Sequence, residues 1–322
     1  MNKAVSLFLI LLSLALLFVS CSSENSVDEA FNCTITFNGN GSTAGEMSVQ
    51  KVGIGKETRI NANAYERTQH LFKGWNTEAD GSGTAYSDGQ IISLSGNITL
   101  YAQWEIIPII LDSSMDEWTN GNVYILNSDV TIGDRIDVFG SVTLVLNDGF
   151  TLTASRGINV EESNSLTIEA TGEGSGILEA TANGGDAGIG GDINHNSGTI
   201  IINGGTVNTS TKGGSAGAGI GGGRRGNGGT ITINGGTVNA SAASGGSGIG
   251  GGWQGNGGNL TINGGTVTAS STSSAAGIGR GAEGDSDGTL TLGEGVAFEV
   301  SHNNITWSDY DGTTRQKYMR TK

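Results

Sequence analysis

The chain is almost without proline: its 322 residues carry one. Collagen-like and Pro-rich extended architectures are thereby excluded. Charge is sparse too, at 15% of residues, and it leans acidic, with 16 Lys and Arg against 31 Asp and Glu. A nucleic-acid partner needs a basic footprint, which a formal net charge of −15 does not supply. The two cysteines, Cys21 and Cys33, and the three histidines, His70, His195 and His302, lie in unrelated contexts, so no metal-ligand spacing arises. There is no phosphate-binding Gly-x-x-x-x-Gly-Lys-Ser/Thr loop, dinucleotide fingerprint or serine nucleophile elbow, and no cofactor is implied. What is abundant is Gly, 57 residues, with Ile, Val and Thr at regular intervals. That is the composition of a β-rich repeat protein; disorder would come with fewer β-branched residues.

Lys3 precedes a largely apolar run from Ala4 to Val19, the positive and hydrophobic regions of an export signal. The run is short for a membrane span. It ends in Phe18-Val19-Ser20-Cys21, which resembles the lipobox of bacterial lipoproteins, with Phe18 where Leu is usual. The resemblance implies that residues 1–20 are removed and that Cys21 becomes the lipid-bearing N-terminus. The lipid would hold the chain on a membrane of the bacterial cell envelope, facing outward. Residues 22–30 are small and polar and read as a tether. With Cys21 so used, Cys33 has no disulfide partner, and its place in the alternating Cys33-Thr34-Ile35-Thr36-Phe37 makes it a buried structural thiol.

Residues 31–104 read as a first folded unit. A strand at Thr34–Phe37 runs into the turn Asn38-Gly39-Asn40-Gly41, and the unit closes on Ile98-Thr99-Leu100-Tyr101-Ala102-Gln103-Trp104. Between them stand Phe72-Lys73-Gly74-Trp75-Asn76-Thr77 and Asp80-Gly81-Ser82-Gly83-Thr84-Ala85-Tyr86. This set resembles the InlB B-repeat, also called the Listeria–Bacteroides repeat; Gln69-His70 stands where that family has Gly-Tyr. The resemblance implies a small β-grasp-like α+β module, a spacer or adhesive element of bacterial surface proteins. Phe37, Phe72, Trp75, Tyr86, Tyr101 and Trp104 are its expected core, since a small unit needs large side chains to bury enough surface. Asp80-Gly81-Ser82-Gly83 lacks the ligand count of a calcium loop and reads as a turn.

After a linker at 105–117, internal repeats dominate residues 118–322. Three copies are plain, beginning at Thr199, Thr230 and Asn259 and ending in Asn-Gly-Gly-Thr-Val; a worn fourth begins at Thr289. A second element, Gly-Ile-Gly-Gly, recurs at 188, 219 and 248, with Gly277-Ile278-Gly279-Arg280 as its last form. Weaker strands precede them at Val123–Leu126, Val142–Leu146 and Ser165–Ile168. Period-2 strands recurring every thirty residues or so predict a parallel β-solenoid, one repeat per coil, with coils about 4.8 Å apart. Inward rows are then expected at Ile200, Ile231, Leu260 and Leu290; at Ile202, Ile233, Ile262 and Leu292; at Val207, Val238 and Val267, continuing to Val296 or Ala297; and at Ile189, Ile220, Ile249 and Ile278. The Gly-Gly pairs after Asn203, Asn234 and Asn263 fall where the chain turns a corner and positive φ is free only for Gly. The architecture resembles the right-handed parallel β-helix of the pectate-lyase-like superfamily, a likeness that implies no reaction. The fold class is therefore mainly β, the small module followed by the solenoid.

Catalysis on such a scaffold would need clustered carboxylates. Asp129, Asp134, Asp137, Asp148, Glu161 and Glu162 are candidates, without repeated spacing; a solvated acidic flank accounts for them as well. A different signal lies in the loop after each Gly-Ile-Gly-Gly. It carries Asp192-Ile193-Asn194-His195, then Arg224-Arg225, then Trp253-Gln254, then Arg280 with Glu283 nearby, and stacking is expected to bring these tips, led by His195, Arg224, Trp253 and Arg280, into one column. An aromatic beside Arg in a polar loop suits a sugar ring, and the coil spacing is close to the length of one sugar residue. Two readings stay open: an anchored adhesive or glycan-binding surface protein without catalysis, whose partners are the membrane and an extracellular polysaccharide or host surface, and a polysaccharide lyase or hydrolase. A narrower third is ice or crystal binding through a Thr232, Thr261 and Thr291 row.

Overall fold

The computed structural model describes residues 31–212, 217–272, 274–301, 308–309 and 318–322. The expected leader, Cys21, the tether and His302 lie outside them. The chain divides into two units, residues 1–68 with 72–105, and 69–71 with 106–322.

The first unit is a five-stranded sheet in the order Gln50–Gly53, Phe31–Asn38, Ile98–Ile106, His70–Asn76, Ala85–Tyr86, with a separate pair, Glu57–Arg59 and Ile91–Ser93. The first and last long strands pair in parallel, Ile35 opposite Ile98 and Phe37 opposite Leu100. Trp75 is the centre of its core, 1% exposed, with Phe37 at 5.0 Å, Phe72 at 5.1 Å and Tyr65 at 6.3 Å between ring centroids. Phe72, Tyr86 and Trp104 pack against this core from partly buried positions, and Tyr65, absent from the expected set, joins them. Cys33 is buried as expected. Asp80 accepts from the Ser82 backbone at 3.0 Å and hydroxyl at 2.7 Å, a tight turn. The helix implied by the α+β resemblance is not found: the described residues here are strands and turns. In the stretch between Glu57–Arg59 and His70–Asn76, Asn63 closes on Tyr65, and the Thr68 N–H donates to Thr43 Oγ1 from an earlier segment.

The second unit is a stack of coils with three sheets of parallel strands. Each coil visits the first sheet (for example Thr230–Ile233), the second (Thr237–Ala242) and the third (Ile249–Gly250). The expected registers hold. Leu166, Ile200, Ile231, Leu260 and Leu290 stack in order, as do Ile168, Ile202, Ile233, Ile262 and Leu292. The third-sheet row runs Ile136, Ile158, Ile189, Ile220, Ile249, Ile278. These side chains form one continuous core. Each fully buried aliphatic contributes about 1.5–3 kcal/mol, the main force offsetting backbone entropy in so thin a fold.

Three details differ from expectation. The stack opens before residue 118: Ile109–Ile110 pairs with Tyr124–Ile125 and Leu111 is buried, so most of the expected linker is first-coil structure. The early coils are shorter, since without Gly-rich loops Ser141 comes into register with Ser165. The Val207, Val238, Val267 row does not continue to Val296 or Ala297. The next strand on that sheet is Tyr318–Thr321, running antiparallel to Thr266–Ser271, with Phe298 and Met319 buried against the core. An antiparallel strand ends the parallel template there.

Glycine is needed at two kinds of site. The second Gly of each corner pair, Gly205, Gly236 and Gly265, has φ of 77°, 79° and 82°. On the third sheet Gly190, Gly221 and Gly250 have φ of 133° to 134°, and a side chain on any of them would strike the backbone of the next coil.

Polar ladders run outside the apolar rows. Asn263 donates to Asn234 at 2.7 Å, Asn234 to Asn203 at 2.7 Å, and Asn203 to Glu169 at 2.7 Å. Identical amides one coil apart satisfy one another as they do in stacked-strand fibrils.

Candidate functional site

The loop after each Gly-Ile-Gly-Gly element closes in a four-residue turn. His195 N–H donates to Asp192 O at 2.9 Å, Gly226 to Gly223 at 2.7 Å, Gly255 to Gly252 at 2.7 Å and Gly284 to Gly281 at 3.3 Å. The turns stack through main-chain bonds: Asn194 N–H to Arg224 O and Arg225 N–H to Trp253 O at 2.7 Å, Gln254 N–H to Ala282 O at 2.8 Å. Asn196, Asn227 and Asn256 fasten their bases, each side-chain oxygen accepting a backbone N–H one coil on.

This register defines two columns at the outer edge. One holds Ile193, Arg224, Trp253 and Ala282, the other Asn194, Arg225, Gln254 and Glu283. The second column has φ of 66°, 66°, 62° and 61°, the left-handed conformation that a type II turn ordinarily gives to Gly or Asn. A chain so rich in glycine puts Arg, Gln and Glu there instead. Their side chains are linked, Arg225 Nε to Gln254 Oε1 at 3.4 Å and Gln254 Nε2 to Glu283 Oε2 at 3.2 Å.

Of the four residues expected in one column, the structure brings together Arg224 and Trp253. The Arg224 guanidinium lies 5.0 Å from the Trp253 ring centroid and that of Arg225 lies 5.8 Å from it. Trp253 is half-buried because Gly245, at φ 100°, lies against its indole and leaves room for it. His195 falls two residues further along its turn than Arg224, level with Gly226, and its Nδ1 faces Glu161 at 3.1 Å. Arg280 replaces the last Gly of Gly-Ile-Gly-Gly, and its guanidinium turns back to Gly284 O at 2.8 Å, with Asp287 at 3.4 Å. Both are thus set apart from the Arg224–Trp253 column. Arg225, the second residue of the Arg224-Arg225 tip, joins the site; the equal count from each Gly-Ile-Gly-Gly separates it from His195 and Arg280.

The acidic flank is built of separate contacts. Asp129 accepts from Thr151 N–H at 2.8 Å, Asp137 from Asn159 at 2.9 Å, and Asp148 from Glu173 and Ser175 N–H at 2.7 Å each. Asp134 faces Arg156 at 3.7 Å, Glu161 pairs with His195, and Glu162 with Asn196. The Asp148 carboxyl is held below its ordinary range by hydrogen bonds, chiefly from Glu173 N–H and Ser175 N–H. Asp192 is pushed up by burial, against the pull of Arg135, which also donates to Arg156 O at 2.8 Å and Ala187 O at 3.0 Å. A shallow polar trough of about 250 Å³ on the second sheet, lined by Asn208, Ser210, Asn239, Ser241 and Thr268, has a single carboxylate, Glu179, which accepts from Asn208 at 2.7 Å. Among the described residues no group of His, Cys, Asp and Glu is placed to hold a metal ion.

These features define a repeat protein of surface type, a small strand-built module and a parallel β-solenoid with a decorated edge. Residues 34–103 match the Listeria-Bacteroides repeat domain, and residues 200–224, 231–253 and 260–279 match the beta helix repeat. A protein of Evansella cellulosilytica described as a Gly-rich membrane protein is 36% identical over 76 residues, 22% of this chain and 9% of that one. The chain thus matches only a small part of that relative's length. No solved structure matches the chain. Among the described residues no helix is long and apolar enough to cross a membrane.

Proposed function

We propose that this chain is a lipoprotein of the bacterial cell envelope, held to a membrane through Cys21 and binding an extracellular polysaccharide along the outer edge of its solenoid without catalysis. The observation that supports it is the column Asn194, Arg225, Gln254, Glu283. Asn tolerates left-handed backbone, but for Arg225, Gln254 and Glu283 it costs about 1–2 kcal/mol each, and a run of such residues on one edge is the kind of strain that gathers at binding sites. Beside that column lie an exposed Arg224 and a half-buried Trp253, residue types that anchor contacts. The match of residues 34–103 to a domain implied for bacterial surface proteins agrees with outward display.

Two measurements test the reading. The full chain applied to an immobilised array of polysaccharides should bind a subset, and a Trp253→Ala variant should lose that subset at an unchanged melting temperature. An array with no response removes the glycan-binding function. Cells fed a clickable palmitate analogue should label the wild-type chain and not Cys21→Ala; equal labelling removes the lipid anchor.

A further inference from the structure

We propose that the outer edge recognises the anionic groups of an acidic polysaccharide, carboxylates or sulfates, through Arg224 and Arg225, and that Trp253 is a positioning residue for both. This rests on the glycan-binding reading above and narrows it.

The other described arginines of the solenoid each face a carboxylate: Arg135 with Asp192, Arg156 with Asp134, Arg280 with Asp287, Arg320 with Glu299. Arg224 and Arg225 are exposed and, among the described residues, have no carboxylate within ion-pair distance. In a chain of net charge −15 that is the reverse of what chance would leave. Two like charges side by side repel, and the fold sets them there regardless. Their shared support is one indole: the face of an aromatic ring is its negative side, and both guanidinium groups lie within 6 Å of its centroid, Arg224 at 5.0 Å and Arg225 at 5.8 Å. The ring offsets part of the repulsion, more for Arg224 than for the more distant Arg225, and leaves N–H edges of both forks for a ligand. Arg225 spends one of them, at Nε, on a long 3.4 Å bond to Gln254.

A planar fork with unspent N–H groups is the shape that takes carboxylate or sulfate oxygens two at a time. Because Arg224 and Arg225 both lie over the indole, the ring is engaged by cations at the edge where a ligand would arrive. The nearest competing carboxylate in the tip columns is Glu283, which Gln254 engages at 3.2 Å. Arg225 in left-handed backbone is the costliest element of the arrangement, at φ 66°, in a position that Gly would fill without strain.

The test is electrophoretic retardation of the full chain in gels containing polygalacturonate, heparin or neutral dextran. One or both acidic polymers should retard it and dextran should not; the pair tells carboxylate from sulfate recognition. Retardation should fall as salt rises from about 50 to about 500 mM. Arg224→Gln and Arg225→Gln should each weaken it about tenfold. Trp253→Leu should weaken it as much, and Trp253→Phe should restore most of the loss, with melting temperatures unchanged. Glu283→Gln should strengthen it. Retardation by dextran that matches the acidic polymers and survives Arg224→Gln overturns the anionic assignment while leaving a glycan-binding protein. No retardation by any of the three overturns both. Trp253→Leu binding like wild type overturns the role of the ring.

Discussion

Arg224 and Trp253 occupy the same place in successive turns, and the guanidinium of one lies 5.0 Å from the ring centroid of the other. The contact follows from the register that stacks isoleucines inside: every position meets its equivalent one coil on, at about 4.8 Å. Inside, that repetition suits identical aliphatic side chains. Outside, it makes pairs of unlike residues act on each other, and the edge turns are where the repeats differ most.

The inward register has a direct test. Ile233 is fully buried and Thr232, its neighbour, faces outward. Ile233→Asp should cost about 3 kcal/mol or more, an unpaired carboxylate in an apolar core. Thr232→Asp should cost under about 1 kcal/mol. Thermal melts of the two variants should separate by many degrees; coincident melts would refute the inward assignment.

Glycine on the third sheet supplies the second prediction. Gly250 has φ 134° and its missing side chain would meet the backbone of Gly279, whereas Gly133 has open space around it. Gly250→Ala should destabilise by about 2–4 kcal/mol, since neither the backbone nor its neighbour can yield. Gly133→Ala should be neutral or slightly stabilising through the unfolded state. Denaturant midpoints of the two variants give the comparison.

Much of the solenoid was legible because its rows repeat in sequence what they repeat in space. Ile200, Ile231 and Leu260 sit in near-identical segments, so one alignment placed them all. Ile136 and Ile158 belong to the same row as Ile189, but no Gly-Ile-Gly-Gly surrounds them, and their coils were read only as weak strands. The ending on Tyr318–Thr321 is an antiparallel pairing with no repeat to announce it. At the edge, Arg224 and Trp253 stand two residues after the last Gly of their elements, while His195 stands four after and Arg280 takes the place of that Gly. Their common place in the loop after each element suggests one column; counting from the element separates them. The positive φ of Arg225, Gln254 and Glu283 carried no signal, because Gly is the usual mark of that conformation.

Acid titration should separate two carboxylates of opposite sign. Asp148 has its folded value lowered beneath the ordinary 3.8 by backbone N–H donors, so its contribution is present above that value and is lost as pH falls through the lowered one. Asp192 has its folded value raised by burial, so the fold favours its protonated form and stability is lost as pH rises from 3.8 through the raised value. Compared with wild type, the disadvantage of Asp148→Asn should therefore shrink as pH falls below about 3.8 and vanish below the lowered folded value, where the Asp148 carboxyl is protonated in folded and unfolded chains alike. Asp192→Asn should gain on wild type as pH rises over the range above it. Chemical denaturation at a series of pH values reads both slopes, and parallel profiles for the three chains would contradict the assignment.

The last prediction sets stability against binding at one residue. Arg225 is exposed, at φ 66°, in the third position of a turn that Gly would occupy without strain. Left-handed backbone costs a residue with a Cβ about 1–2 kcal/mol. Glycine relieves that cost but loses about 0.5–1 kcal/mol through its freer unfolded chain. The side chain itself returns little, because a 3.4 Å bond to Gln254 at an exposed site and a distant contact with Trp253 are each weak. Arg225→Gly should accordingly hold or raise the melting temperature by a degree or two, and Gln254→Gly should do the same. The two sites should part in function: Arg225→Gly loses retardation by acidic polysaccharide, while the double variant Gln254→Gly/Glu283→Gln, which frees Arg225 Nε without releasing the Glu283 carboxylate to compete, keeps or improves it. A chain whose Arg225→Gly variant is both more stable and equally retarded would show that the strained tip serves no ligand of this class.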